Sequence, residues 1–229
     1  MAVQDDPPPA VAVSARDSTQ VGLRHRVGRP GVLACLVGAW LVACIAGMGL
    51  LWRYANAAGE RSLPPARLPE SLGLARGPGD WALLVFLHPQ CACSRATLTE
   101  LGKLVHFAGA RLVTRVYIWA PREAPEGFVQ SELWERSRAL PGVEVLADVD
   151  GQVARELGAV TSGHVVLYAP DGTERFSGGI TSARGHEGDS PGGLALRALV
   201  SSGEAERSES PVFGCALRTP SQVTGASPR

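Results

Sequence analysis

From Gly31 to Trp52 the chain runs for 22 residues without a charged side chain or a proline, GVLACLVGAWLVACIAGMGLLW. About 20 apolar residues in a helix cross the hydrocarbon core of a bilayer, so this segment is long enough to span one. A buried core helix is the ordinary alternative, but a helix apolar on all faces suits lipid better. A cleaved leader is the closer competitor, because Ala55-Asn56-Ala57 has the small-x-small form of a cleavage site. The apolar stretch nevertheless exceeds the roughly 7–15 residues of such leaders, and Arg53 interrupts the approach to that site. One uncleaved transmembrane helix over residues 31–52 is therefore expected. Arg24, Arg26 and Arg29 precede the span and only Arg53 follows it closely. By the positive-inside rule this predicts a single-pass inner-membrane protein with a cytoplasmic N-terminus and a periplasmic domain.

Around the span, residues 1–30 carry Pro7-Pro8-Pro9 and no hydrophobic period, which predicts a disordered cytoplasmic N-terminus. Residues 53–79, with several prolines and glycines, read as a linker; residues 80–202 as one domain; and residues 203–229 as a C-terminal extension carrying Cys215. Basic and acidic residues number 22 each. That balance gives no basic face of the kind nucleic acid demands, so no nucleic-acid partner is expected. Outside the cytoplasm disulfides persist. Cys35 and Cys44 lie within the span, point to opposite sides of a helix, and read as small apolar filler.

The domain opens on Trp81–Leu87, a continuous apolar run that reads as a central strand covered on both faces. After His88-Pro89-Gln90-Cys91-Ala92-Cys93, Ser94 stands where a cap belongs, and Leu98, Leu101, Leu104, Val105 and Ala108 recur at helical spacing. Further strands are expected over 111–119, 143–147, 164–168 and 174–180, with helices over 128–140, up to Leu157, and over 192–201 behind the Ser190-Pro191 start signal. Asp148 and Asp150 read as a turn and helix start rather than as paired catalytic carboxylates. Strands alternating with helices, closed by a hairpin at Asp171-Gly172, predict an α/β fold with a central mixed sheet.

A cysteine pair between a buried strand and a helix start is the chemical focus. Unpaired N–H groups and the positive end of the helix dipole stabilise a thiolate there, lowering its pKa and making it nucleophilic. Cys91 and Cys93, one residue apart, would close a small and labile disulfide ring. This reading requires Cys91 to be both acidic and exposed. The glycine-rich segment 178–189 is expected to emerge near the thiols, where Arg184 would favour a thiolate and His186 would move protons. His88 and His164 are further candidates by position, whereas His106 reads as surface.

The element order, with Cys91 after the first strong strand and LADVDGQVARELGAVTSGHVVLYAPDG further on, resembles the thioredoxin fold, a three-layer sandwich around the mixed sheet. It is most similar to membrane-anchored extracytoplasmic proteins of the TlpA and ResA kind. FLHPQCACSRATLTEL, FSGGITSARGHEGD and PVFGCAL resemble, more narrowly, the bacterial RedB group. The family's CxxC is absent. Cys91 fills the nucleophile position, Ser94 stands at the usual resolving position, and Gly163 aligns with the family's cis-proline. The resemblance implies a thiol–disulfide oxidoreductase acting on extracytoplasmic protein thiols or disulfides, with Cys91 resolved by Cys93 or Cys215. A different class is copper binding through Cys91 and Cys93 with His88 or His186, since thiolates and imidazole suit Cu(I). A third is a non-catalytic anchored domain stapled by Cys215.

Overall fold

The computed structural model describes residues 30–217. The expected disordered arm, with Arg24, Arg26 and Arg29, and the last residues, 218–229, lie outside the described residues. Two compact units, Met1–Gly47 and Met48–Arg229, divide the chain.

Helix α1 (Pro30–Ala55) contains a stretch, Gly31–Ala55, long and apolar enough to cross a membrane, a property that signal sequences share. It continues past Trp52 through Arg53 and Tyr54, because neither breaks a helix, and ends where Asn56 Nδ2 donates to the Trp52 carbonyl at 2.9 Å.

The second unit is built on a five-stranded sheet. Its elements are β1 (Trp81–Leu87), α2 (Ser94–Ala108), β2 (Leu112–Ala120), α3 (Glu132–Arg138), β3 (Val143–Val149), α4 (Gln152–Glu156), β4 (His164–Tyr168), β5 (Glu174–Gly179) and α5 (Pro191–Ser202). The strand order is β3-β2-β1-β4-β5. β1 pairs parallel with β2 and β2 with β3, whereas β4 runs antiparallel to both β1 and β5. This mixed sheet with helices on both faces is a thioredoxin-like fold.

All seven side chains of β1 are buried, as the unbroken apolar run requires. They alternate between two cores. Leu83, Val85 and Leu87 pack with Leu98, Leu101 and Leu104 of α2 and with Leu196 and Leu199 of α5. Ala82, Leu84 and Phe86 pack on the other face with Tyr117, Trp119, Ala154, Leu157 and Tyr168. The residues read as a linker are drawn into this second face: Leu68, Leu72 and Leu74 pack on it, and Ser62 N–H donates to the Gly158 carbonyl at 3.0 Å.

The helix expected over 128–140 is confined to Glu132–Arg138. Ser131 caps it by accepting the Trp134 N–H. Phe128 is diverted instead to an aromatic cluster, with ring centroids 6.0 Å from Trp119 and 6.1 Å from His88. Strand β3 runs on to Val149, two residues beyond the expected end. The Asp148 carboxylate is buried and accepts the N–H groups of Val153 and Ala154 at 2.9 Å each, so it starts α4.

His164 lies in the sheet interior with no exposed surface, its Nε2 2.8 Å from Ser177 Oγ and its Nδ1 unpartnered. Burial pushes its pKa down to about 4. Below the unfolded value of about 6.5 the unfolded chain takes up a proton that the folded one refuses, so stability falls as pH drops from 6.5 toward 4. That shift corresponds to roughly 3 kcal/mol. Urea unfolding at pH 7.0 and 4.5 is expected to show this loss. His164→Gln is expected to flatten the slope, leaving a smaller contribution of the same sign from His88, whose pKa burial also lowers.

Candidate functional site

The thiols meet at the C-terminal end of β1. Leaving the sheet at Leu87, the chain turns twice: Cys91 N–H donates to the His88 carbonyl at 3.1 Å, and Ser94 N–H to the Cys91 carbonyl at 3.1 Å. The expected cap at Ser94 is not what forms. Cys93 takes the cap position with helical angles and no side-chain cap, and Ser94 is the first residue of α2. The reason is that the Ser94 hydroxyl is engaged elsewhere. Its Oγ lies 2.7 Å from Ser162 Oγ, which accepts the His88 N–H at 2.8 Å, and the same hydroxyl bonds the Cys91 sulfur. The sense that satisfies all three is a chain from the His88 amide through Ser162 and Ser94 to Cys91.

Cys215 arrives from the opposite side on a strap formed by the C-terminal residues. Ser208 to Pro211 run beside β5, where Ser177 N–H donates to the Ser208 carbonyl at 2.9 Å. Gly178 and Gly179 permit this approach, since a Cβ on Gly178 would stand 2.5 Å from Ser210. The strap then pairs with the loop before β4. Ser162 N–H donates to the Cys215 carbonyl and Leu217 N–H to the Val160 carbonyl, both at 2.8 Å, around an antiparallel bridge between Thr161 and Ala216. Val212 and Leu217 are buried on either side of Cys215 and fix its position.

Cys91 is 2 % exposed. The expectation of an exposed nucleophile is therefore corrected, because the strap covers it. Its expected acidity has a physical basis: burial pushes the thiol up, but hydrogen bonds from the Ser94 hydroxyl, from the Cys215 amide and thiol, and from the Ser94 amide outweigh it and bring Cys91 below the usual thiol range. Its neighbours move the other way. Burial, the hydrogen bond to Cys91 and its negative charge push Cys215 up to about 12, and burial with the charge of Cys91 raises Cys93. Arg184 opposes both rises without reversing them. It also donates to the Gly214 carbonyl and lies 5.0 Å from the Tyr54 ring centroid. Of the two, Cys91 is the more readily ionised and Cys215 holds its proton more tightly.

Cys91, Cys93, Cys215 and Arg184 are brought together, and the histidines are not. His88 stacks on Trp119 with centroids 4.9 Å apart, and its Nδ1 accepts the Gln90 N–H at 3.1 Å. His186 is exposed, with no hydrogen bond to its ring. The ring of His164 serves Ser177, not the thiols. Among the described residues no group of three or more His, Cys, Asp or Glu is arranged to hold a metal ion. The donors weighed for copper, Cys91 and Cys93 with His88 or His186, do not form such a set.

Ser162 and Gly214 are the site residues that sequence reasoning missed, and Ser94, read as a cap, bonds Ser162 instead. Ser162 had a signal, since it directly precedes Gly163 at the start of a strand. Gly214 had one only in its place next to Cys215. Gly163 itself, at the position of the family's cis-proline, has φ 91°, and no cis peptide bond occurs among the described residues.

The chain matches no known family model, and no curated protein resembles it in sequence. Solved structures do share its architecture. An uncharacterised conserved protein from Geobacillus kaustophilus superimposes with a TM-score of 0.51 at 16% identity, over 72% of this chain and 93% of its own. A hypothetical protein from Sinorhizobium meliloti gives 0.48 at 21% identity, over 71% and 93%. A secreted disulfide oxidoreductase from Mycobacterium tuberculosis gives 0.35 at 21% identity, over 45% and 69%. At these identities the likeness is one of fold.

Proposed function

We propose that this chain is a membrane-anchored, extracytoplasmic thiol–disulfide oxidoreductase-like protein whose redox pair is Cys91 with Cys215. One observation carries the reading: the strap seats Cys215 against the buried Cys91, whose thiol it helps to bring below the usual range. Two neighbouring thiols, one more readily ionised than the other, can exchange with a disulfide. Cys93, whose thiol is raised by the Cys91 charge, is the second candidate partner. The helix over 30–55 is read as the anchor, with the domain on the periplasmic side of the inner membrane, in keeping with the TlpA, ResA and RedB resemblance. Protease treatment of intact spheroplasts is expected to digest the domain; its protection would reverse that orientation.

In the reducing direction, one thiol of the pair, deprotonated, attacks one sulfur of a disulfide R–S–S–R′. A mixed disulfide forms and R′–S⁻ leaves with the electron pair. The other thiol, deprotonated, then attacks the protein sulfur of the mixed disulfide, forming the intramolecular disulfide and releasing R–S⁻. The substrate gains two electrons and the protein loses two. A thiol donor returns the pair to its reduced state.

Peptide mass spectrometry of the full-length protein, equilibrated in a series of thiol–disulfide buffers, tests the pair. A Cys91–Cys215 bond that opens and closes across that series is expected. Cys91→Ser is expected to reduce a model disulfide no faster than buffer alone. A Cys91–Cys215 bond that persists in mild reductant would make the strap a structural staple and defeat the oxidoreductase reading. Full activity in Cys91→Ser would do the same.

A further inference from the structure

Exposure of the two cysteine residues is opposite to what the position of Cys91 in the sequence suggests. Cys91 is sealed at 2 % exposure, whereas Cys215 faces solvent. The seal is the strap itself, held by the Ser162–Cys215 and Leu217–Val160 hydrogen bonds and by the Arg184 contact to the Gly214 carbonyl. Those same bonds occupy the Val160–Ser162 backbone. With the Val160 carbonyl and the Ser162 amide taken and Gly214 packed against the Ser162 carbonyl, the strap holds the edge along which an extended protein segment would align itself over Cys91.

We propose that exchange with outside thiols takes place at Cys215, the sulfur of the Cys91–Cys215 disulfide that solvent reaches, with Cys91 as the leaving group, and that the thiols served are small. This rests on the redox pair proposed above. A thiolate R–S⁻ attacks Cys215 Sγ; an R–S–Sγ bond forms and the Cys91–Cys215 bond breaks. The electron pair stays on Cys91, where the Ser94 hydroxyl and the Ser94 and Cys215 amides already converge on the sulfur. A disulfide breaks fastest toward the sulfur that best carries negative charge, so access and leaving ability select the same cleavage. A second small thiol then attacks the mixed disulfide. It releases R–S–S–R and a Cys215 thiolate, which takes a proton from water. Two thiols lose two electrons and the pair gains them; a disulfide donor re-forms the bond. In the reducing direction the path runs backward. A small disulfide is taken up first on Cys215, and Cys91 attacks there, so the strap need not lift.

The full-length protein in detergent is oxidised with a small disulfide, freed of excess reagent, and treated with limiting glutathione. Acid quenching stops exchange, and peptide mass spectrometry locates the glutathione. An excess of about tenfold on Cys215 over Cys91 is expected, because attack at the exposed sulfur expels the better leaving group. Cys93→Ser is expected to give the same distribution, which excludes relay through Cys93. Glutathione found mainly on Cys91 or Cys93 would overturn the proposal while the pair itself stands; a Cys91–Cys215 bond that glutathione leaves intact would overturn both the proposal and the redox role of the pair. If no Cys91–Cys215 disulfide forms on oxidation, the pair fails and this inference with it.

Discussion

Gly214→Ala is expected to unseat the strap and separate the two sulfurs. Gly214 is buried against the loop before β4, and a Cβ there would stand 1.9 Å from the Ser162 carbonyl oxygen. Contact with a flexible side chain could be relieved by a rotamer change, but this one is with backbone. Moreover, the Ser162 amide is already committed to the Cys215 carbonyl, so moving either partner breaks the register that carries Cys215. Overpacking of this kind costs about 1–3 kcal/mol. If that cost falls on the seated strap, pairing of Cys91 with Cys215 drops roughly tenfold or more, since about 1.4 kcal/mol is a factor of ten. Two measurements check this. The Cys91–Cys215 disulfide is expected to form in lower yield in any given redox buffer. Alkylation of Cys91 by iodoacetamide in the reduced protein is expected to accelerate as the sulfur is uncovered. Unchanged alkylation would mean that something other than the strap shields Cys91. Only the second core reaches the strap, through Leu217, and the first is untouched, so urea unfolding is expected to remain cooperative.

Placing a proline at position 163 is expected to destabilise the domain. Gly163 has φ 91°, and its N–H donates to the Phe86 carbonyl at 2.8 Å, joining the start of β4 to the end of β1. Proline has no N–H and fixes φ near about −65°. Gly163→Pro thus strands a buried carbonyl and demands a different backbone path through Ser162, the residue that links the strap to the Ser94–Cys91 chain. The combined loss is expected to reach roughly 3 kcal/mol or more. Gly163→Ala keeps the N–H and isolates the conformational part: positive φ costs a residue with a Cβ about 1–2 kcal/mol, and that Cβ would stand 2.9 Å from Thr97 Oγ1. The urea midpoint is expected to fall in the order wild type, Gly163→Ala, Gly163→Pro. A proline variant as stable as the wild type would show that the loop readily takes the other path. The glycine thus leaves an amide to bond β1, with Ser162 linking the strap to Ser94.

Local chemistry alone determined a good deal. An apolar stretch without a proline or a charge favours a continuous helix, and it forms one over Pro30–Ala55, long and apolar enough to cross a membrane. The seven apolar residues of β1, the leucine spacing of α2 and the Ser190-Pro191 start of α5 each carry their period in adjacent positions, so strand, helix and order were legible. The junction of Cys91 and Cys93 with a helix start was legible for the same reason. Ser94 shows the limit. As a serine before a helical run it had the pattern of a cap, yet Ser162, 68 residues away, competes for its hydroxyl. What depended on residues distant in sequence was decided only by the folded chain. Cys215 lies 124 positions beyond Cys91 (215 minus 91), and nothing near either announces that Val212 and Leu217 will be buried so as to hold one sulfur over the other. Burial, and with it which sulfur is sealed and which is open, is a property of surfaces meeting in space. The sequence places an ionisable thiol at a helix end; the strap decides whether solvent can reach it.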